Sequence, residues 1–168
     1  MTTMRFFLCL LSMLAAGCTH HISLLDPTLK TPASCGLQVT DVRPDPAALY
    51  FRSTKSTGRA VLEPPIAEII RRSACAVLPP QHLANAAKFV VTDFECTVTG
   101  FFELRYVVDL RGRLEIPGQI PVELRSGNVQ LSSNGYVPKG CEVAATPALS
   151  VLAAEIVKEM QENTAQKH

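Results

Sequence analysis

Phe102-Glu103-Leu104-Arg105-Tyr106-Val107-Val108-Asp109-Leu110-Arg111-Gly112-Arg113-Leu114-Glu115-Ile116 is the stretch whose reading decides the fold. Phe102, Leu104, Tyr106, Val108, Leu110, Leu114 and Ile116 share one parity. Glu103, Arg105, Asp109, Arg111, Arg113 and Glu115 take the other. Side chains alternate across a strand, so this is a long strand with one buried and one wet face. Its alternating acids and bases resemble a carboxylate pair set up for catalysis. Cross-strand charge pairing on a solvated sheet face accounts for them better.

Outward from that strand the pattern continues. Lys88 to Thr99 is strand-like, with Phe89, Val90, Val91, Phe94 and Val98, and Gly100 punctuates it. Pro117-Gly118-Gln119 turns the chain on the far side. Ile120, Val122 and Leu124 then share a face, whereas Val129 and Leu131 have the opposite parity. That slip predicts a bulge or second turn at Ser126-Gly127-Asn128. Leu37 to Arg43 reads as an earlier strand, ended by Pro44 and Pro46, with a short extension over 47–52 and a polar loop over 53–58. After Pro64-Pro65, Ile66, Ile69, Ile70, Ala74 and Val77 recur at helical spacing, until Pro79-Pro80 stop the run. Arg71 and Arg72 fall in its second half and read as a solvated face. Thr146-Pro147 predicts the start of a last helix with the stripe Leu149, Leu152, Ile156, Val157 and Met160, fading into a polar end over 161–168. Strand, helix, strands, helix makes an α+β fold: a two-layer domain, a mostly antiparallel sheet with two helices packed on one face.

The N-terminus bounds the compartment. Arg5 precedes an apolar run from Phe6 to Ala16, too short for a membrane span and right for a secretory leader. The run ends Leu14-Ala15-Ala16-Gly17-Cys18, which resembles a bacterial lipobox. The resemblance implies a signal peptide over 1–17, cleavage before Cys18, and acyl chains on its thiol. Two or more chains hold a protein firmly, at about 0.8 kcal/mol per buried methylene. The same resemblance, with Thr19 rather than Asp after the cysteine, implies the outer membrane, periplasmic face. Residues 18–34, with Pro27 and Pro32, read as a lipidated tether, and 35–168 as a single periplasmic domain. His20-His21 lies in the tether and reads as spacer, since no Cys, Asp or Glu flanks it at ligand spacing.

Charge excludes one class of partner. The chain carries 16 Lys+Arg against 15 Asp+Glu, and the leader holds only Arg5, so the remainder is balanced. A nucleic-acid partner would call for a basic excess. Trp is absent, which speaks against an aromatic sugar platform. Cysteine usage is more telling. Cys9 departs with the leader and Cys18 is lipidated, leaving Cys35, Cys75, Cys96 and Cys141. An even number in an oxidising compartment predicts two disulfides. Three connectivities exist; Cys35–Cys75 with Cys96–Cys141 is favoured. Zinc is disfavoured by the spacing, and buried free thiols are the plain alternative.

Val39-Thr40-Asp41-Val42-Arg43-Pro44, soon after the lipobox and followed by helix, long hairpin and helix, resembles the YajG-like family of bacterial lipoproteins. The resemblance implies an outer-membrane lipoprotein with a compact α/β domain and no catalytic residues. In layout the chain is also similar to auxiliary lipoproteins of envelope transport and assembly machines. Within the motif, Asp41 and Arg43 share a strand face, either as a structural ion pair or, with Arg105, Asp109 and Arg111, as part of a partner face. No G-x-S-x-G, H-E-x-x-H or phosphate-cradling loop is present, and His82, on a Pro-flanked loop, has no nucleophile beside it in sequence. The expectation is a non-enzymatic, lipid-anchored binding or structural protein of the cell envelope, without metal or cofactor, attached through its acyl chains and touching an envelope protein. The alternative is an auxiliary subunit of a lipid or lipopolysaccharide transport complex.

Overall fold

A computed structural model describes residues 20–24, 35–53, 57–100, 103–132 and 136–165. The leader, Cys18 and most of the tether lie outside the described residues. Among the described residues seven strands form one sheet: β1 His20–Ile22, β2 Leu37–Asp41, β3 Ala48–Ser53, β4 Thr57–Leu62, β5 Ala87–Thr99, β6 Leu104–Glu115 and β7 Val122–Ser132. Among the described residues two helices, α1 Ile66–Val77 and α2 Val137–Ala165, cover one face of that sheet and pack on each other. This is the two-layer α+β arrangement.

The strand order is β1-β4-β3-β5-β6-β7, with β2 joining β3 along the same edge of β5. β5, β6 and β7 make an antiparallel body, and β3–β4 is an antiparallel hairpin. β1–β4, β2–β5 and β3–β5 are parallel, so the sheet is mixed. Alternation in β6 follows the sequence: Tyr106, Val108, Leu110 and Leu114 are buried beneath the helices, while Arg105, Arg111 and Arg113 are exposed. Phe89, Phe94 and Tyr106 are the largest fully buried side chains. Each such ring stabilises the fold by about 1.5–3 kcal/mol through the area it removes from water.

Both helices are bolted to the sheet. Cys35, just before β2, is bonded to Cys75 of α1, and Cys96 of β5 to Cys141 of α2. Their sequence separations of 40 and 45 residues correspond to about 4 kcal/mol each in lost unfolded-chain entropy. On the outer side of α1, Glu68 binds Arg71 and Arg72 one turn on, so these arginines are paired on a solvated face.

Three expectations are corrected. First, β7 runs through Ser126-Gly127-Asn128 in unbroken register with β6. The parity slip reflects polar side chains turned inward: Ser126 Oγ donates to Ala148 O at 2.6 Å and Asn128 Nδ2 to Ala144 O at 3.2 Å. The irregularity in the sheet lies instead in β5, between Val91 and Asp93. Second, α2 begins at Val137, and Pro147 lies inside it. Pro147 offers no N–H to the carbonyl four residues back. The turns around it are held by Thr146 Oγ1 on Glu142 O, by the two β7 side chains, and by the disulfide at Cys141. Gly140 allows the extra turns to press on the sheet, because a Cβ there would lie 2.2 Å from the Tyr106 ring. By length and composition α2 passes for a membrane span, yet 56% of its apolar window is buried within this fold. Third, His20–Ile22 is no spacer. It pairs with β4, burying Ile22, and Leu24 is buried after it. β4 itself falls partly in the stretch read as a polar loop.

Candidate functional site

The face of the sheet opposite the helices is built by register. Odd-numbered residues of β6 emerge on it, and pairing places Glu95 beside Asp109, Asp93 beside Arg111, and Thr97 beside Val107. On the other flank Gly127 lies opposite Asp109, Arg125 opposite Arg111, and Val129 opposite Val107. Gly127 has no side chain to set beside Asp109. A shallow open depression of about 640 Å³ results, lined by Glu95, Thr97, Val107, Asp109, Arg125, Gly127 and Val129.

Asp109 is its electrostatic centre. Arg125 Nε donates to Oδ1 at 2.8 Å and its Nη2 to Oδ2 at 3.0 Å, while Arg111 donates to Oδ2 through Nε at 2.9 Å and also through Nη2. Burial works against the charged carboxylate, whose side chain is only 15% exposed. The hydrogen bonds and charges of Arg111 and Arg125 outweigh it and hold Asp109 below the usual carboxylate range. Arg111 and Arg125 face each other as like charges across the strands, and the shared carboxylate between them relieves that repulsion. Arg113 and Lys88 share Glu115 in the same way, at 2.7 and 3.8 Å. A further cluster sits toward β1: Arg59 Nε donates to Asp45 Oδ2 at 2.7 Å and Tyr50 Oη to the same oxygen at 3.3 Å. The Arg59 hydrogen bond lowers the Asp45 carboxyl below its ordinary value. Beside these ion pairs, Tyr50, Val129 and Leu131 stay about half exposed. The outer edge of β7 carries no strand among the described residues. The arrangement is a patterned polar surface with apolar spots and an open edge, suited to holding another chain by strand addition or by charge.

Of the five residues read as a partner face, the structure brings Arg105, Asp109 and Arg111 to this surface. Asp41 and Arg43 are elsewhere: their side chains are 3% and 6% exposed. The reason is the break between β2 and β3. β2 pairs with Ala87–Val91, Val42 N still donates to Val91 O, and β3 pairs with Glu95–Val98; the chain over 43–47 leaves β5 between them. Arg43 fills the gap. Its Nη1 donates to Ala48 O at 2.9 Å and, longer, to Phe94 O at 3.4 Å; Nη2 donates to Pro46 O at 3.1 Å and Asp41 Oδ2 at 2.7 Å. Asp41 also accepts from Arg43 Nε and from its backbone N–H, each at 3.0 Å. Phe94 covers the guanidinium at 5.6 Å. The D-x-R motif is a structural staple.

His82 lies in a short 3-10 turn, Pro80–His82, with its Nδ1 3.2 Å from Asn85 Nδ2. His21 faces Glu63 at 3.1 Å, and His20 packs on Tyr136. Among the described residues no three His, Cys, Asp or Glu side chains gather at metal-ligating distance. Sequence reasoning missed Arg125, Gly127 and the Asp45–Arg59 pair. The charge alternation Glu123-Leu124-Arg125 was a signal for the first, but its partner depends on register with β6.

No family model matches the chain, and no curated protein matches it. In three dimensions it is similar to protein XCC0632 from Xanthomonas campestris, of the DUF330 family, with a TM-score of 0.53 and 15% identity over 88% of this chain and 96% of that one. A minor lipoprotein from Acinetobacter baumannii aligns with a TM-score of 0.36 and 8% identity over 76% of this chain and 92% of that one. The Xanthomonas likeness is one of fold. Neither likeness shows the YajG-like family to which the Val39–Pro44 motif points.

Proposed function

We propose that the protein is a non-catalytic lipoprotein of the cell envelope, anchored through acyl chains on Cys18 to the periplasmic face of the outer membrane, with its open sheet face holding an envelope partner. The observation that carries the reading is the pair of disulfides at Cys35–Cys75 and Cys96–Cys141 behind a lipobox-like leader. Disulfides that brace each helix against the sheet belong to an oxidising compartment. The face around Asp109, which no helix covers among the described residues, and the edge of β7, which no described strand pairs, supply the surface for a partner. Asp45, Asp109 and Glu115 on that side are already engaged by arginine, which suits recognition better than proton transfer.

Fractionation of cells making the wild type and Cys18→Ala tests the anchor. The wild type is expected in the outer-membrane fraction with a diacylglyceryl-modified N-terminus, and the variant is expected to leave that fraction. An unchanged distribution refutes the anchor. Photocrosslinking from Val129 in intact cells tests the face: an adduct with one envelope protein, absent when the probe sits at Glu155 on α2, supports it. A stoichiometric transport component as that adduct would specify an auxiliary subunit. Equal, nonspecific adducts at both positions refute a role for the face.

A further inference from the structure

β1 begins at His20, two residues after Cys18. Two extended residues span at most about 7 Å. β1 is also firmly part of the fold. Ile22 is buried, its carbonyl accepts from Glu63 N at 3.1 Å, and His21 meets the Glu63 carboxylate. The orientation of β1 follows from pairing: it runs parallel to β4 with His20 beside Ala60, so its first residue, His20, lies toward the end where β4 starts. The β5–β6 connection and the start of α2 lie at that same end. Tyr136, just before α2, meets the His20 ring edge to face at 5.3 Å between centroids, hydrogen-bonds its Nδ1, and remains 54% exposed.

The geometry points to a fold seated directly on the membrane, with the His20–Tyr136 corner in the phospholipid headgroup layer and the β6–β7 turn directed away from it. The inference rests on lipidation of Cys18 and deepens that reading by naming the surface and the pose. A headgroup layer is about 5–8 Å thick on each side of the hydrocarbon core. A link of about 7 Å from an acylated residue does not lift the corner clear of it. Tyr136 suits that depth, with an apolar ring and a polar tip. The balanced charge leaves the short link, rather than a basic surface, to set the pose. At the other extreme, Ile120 is 87% exposed in the β6–β7 turn. The 12 residues of β6 place that turn roughly 35 Å along the strand direction, and toward the opposite edge of the sheet.

The chain has no tryptophan, which makes a clean fluorescence test. Tyr136→Trp and Ile120→Trp are introduced separately into the full-length lipidated protein in phosphatidylethanolamine–phosphatidylcholine vesicles carrying a headgroup nitroxide lipid. The Tyr136→Trp emission is expected to be quenched several-fold more strongly than that of Ile120→Trp. Inserting about ten Gly/Ser residues between Thr19 and His20, a reach of about 17 Å, is expected to erase the difference. Equal quenching at both positions, or a difference that survives the insertion, overturns the pose. Mass spectrometry of the same samples separates the two readings. An unmodified Cys18 overturns the lipoprotein assignment itself, whereas a diacylated Cys18 with equal quenching overturns only the seating.

Discussion

Replacing Arg43 with Met leaves the volume of the side chain nearly filled and removes the guanidinium from the break between β2 and β3. The Asp41 carboxylate, 3% exposed, then keeps only the backbone N–H of residue 43 among its present donors. The carbonyls of Pro46, Ala48 and Phe94 lose their side-chain donor at the same stroke. Truncating one partner of a buried ion pair costs about 3–5 kcal/mol, because the other charge stays desolvated and unpaired. That is a large share of the roughly 5–15 kcal/mol that holds a domain together. Urea unfolding with the disulfides intact, followed by circular dichroism, is the assay. At an m-value of about 1.5 kcal/mol/M the midpoint falls by about 2–3 M. Arg113→Met is the internal control. Its pair with Glu115 has side chains 47% and 31% exposed, so its loss changes stability by less than about 1 kcal/mol. The double variant Asp41→Leu/Arg43→Met removes both charges and is expected to be more stable than the sum of the single losses implies. An Arg43→Met variant no less stable than Arg113→Met, or strict additivity in the cycle, refutes the staple.

Other outcomes follow from the same geometry. Removing both cysteines of one pair, Cys35→Ala/Cys75→Ala or Cys96→Ala/Cys141→Ala, is expected to lower stability by about 4 kcal/mol in either case, checked by denaturant titration; a loss below 1 kcal/mol would show that the bridges constrain little. Gly140→Val forces α2 off Tyr106, at a cost of about 1–3 kcal/mol in thermal unfolding, and an unchanged melting temperature contradicts the close contact. Asp109 is held below its ordinary value of 3.8 in the folded state. Its stabilisation is therefore fully present above that pH and is lost as pH falls through the lower folded value. The stability gap between wild type and Asp109→Asn is expected to shrink below pH 3.8, and a gap constant from pH 7 to pH 2 rejects the ion-pair account.

Much of the fold was legible because its signals are local. The period of two in β6 assigns one face to the core wherever its neighbours lie, and the period of α1 does the same for a helix. β7 shows the limit. Ser126 and Asn128 break the apolar alternation, so the strand read as interrupted, although it continues with its polar groups satisfied by α2 carbonyls. Pro147 shows the same limit in a helix. A proline marks a start when nothing else holds the chain, yet here a disulfide and a glycine contact carry the helix back to Val137. β1 and β4 are too short to show a period of their own and are held as strands by pairing with neighbours outside their own local pattern.

From the sequence alone came the alternating strands, the first helix, the even cysteine set behind a lipobox-like leader, and thus an α+β class and an expected compartment. Tertiary structure alone decided that Arg43 is a buried staple and not a surface contact, that Arg111 and Arg125 converge on Asp109, and that His20 begins a strand at a corner shared with Tyr136. The division has a physical basis. Periodicity and composition are properties of neighbours in the chain, whereas register, burial of a charge and the partner of an ion pair depend on residues that the sequence separates by 16 positions for Asp109 and Arg125 and by 116 for His20 and Tyr136.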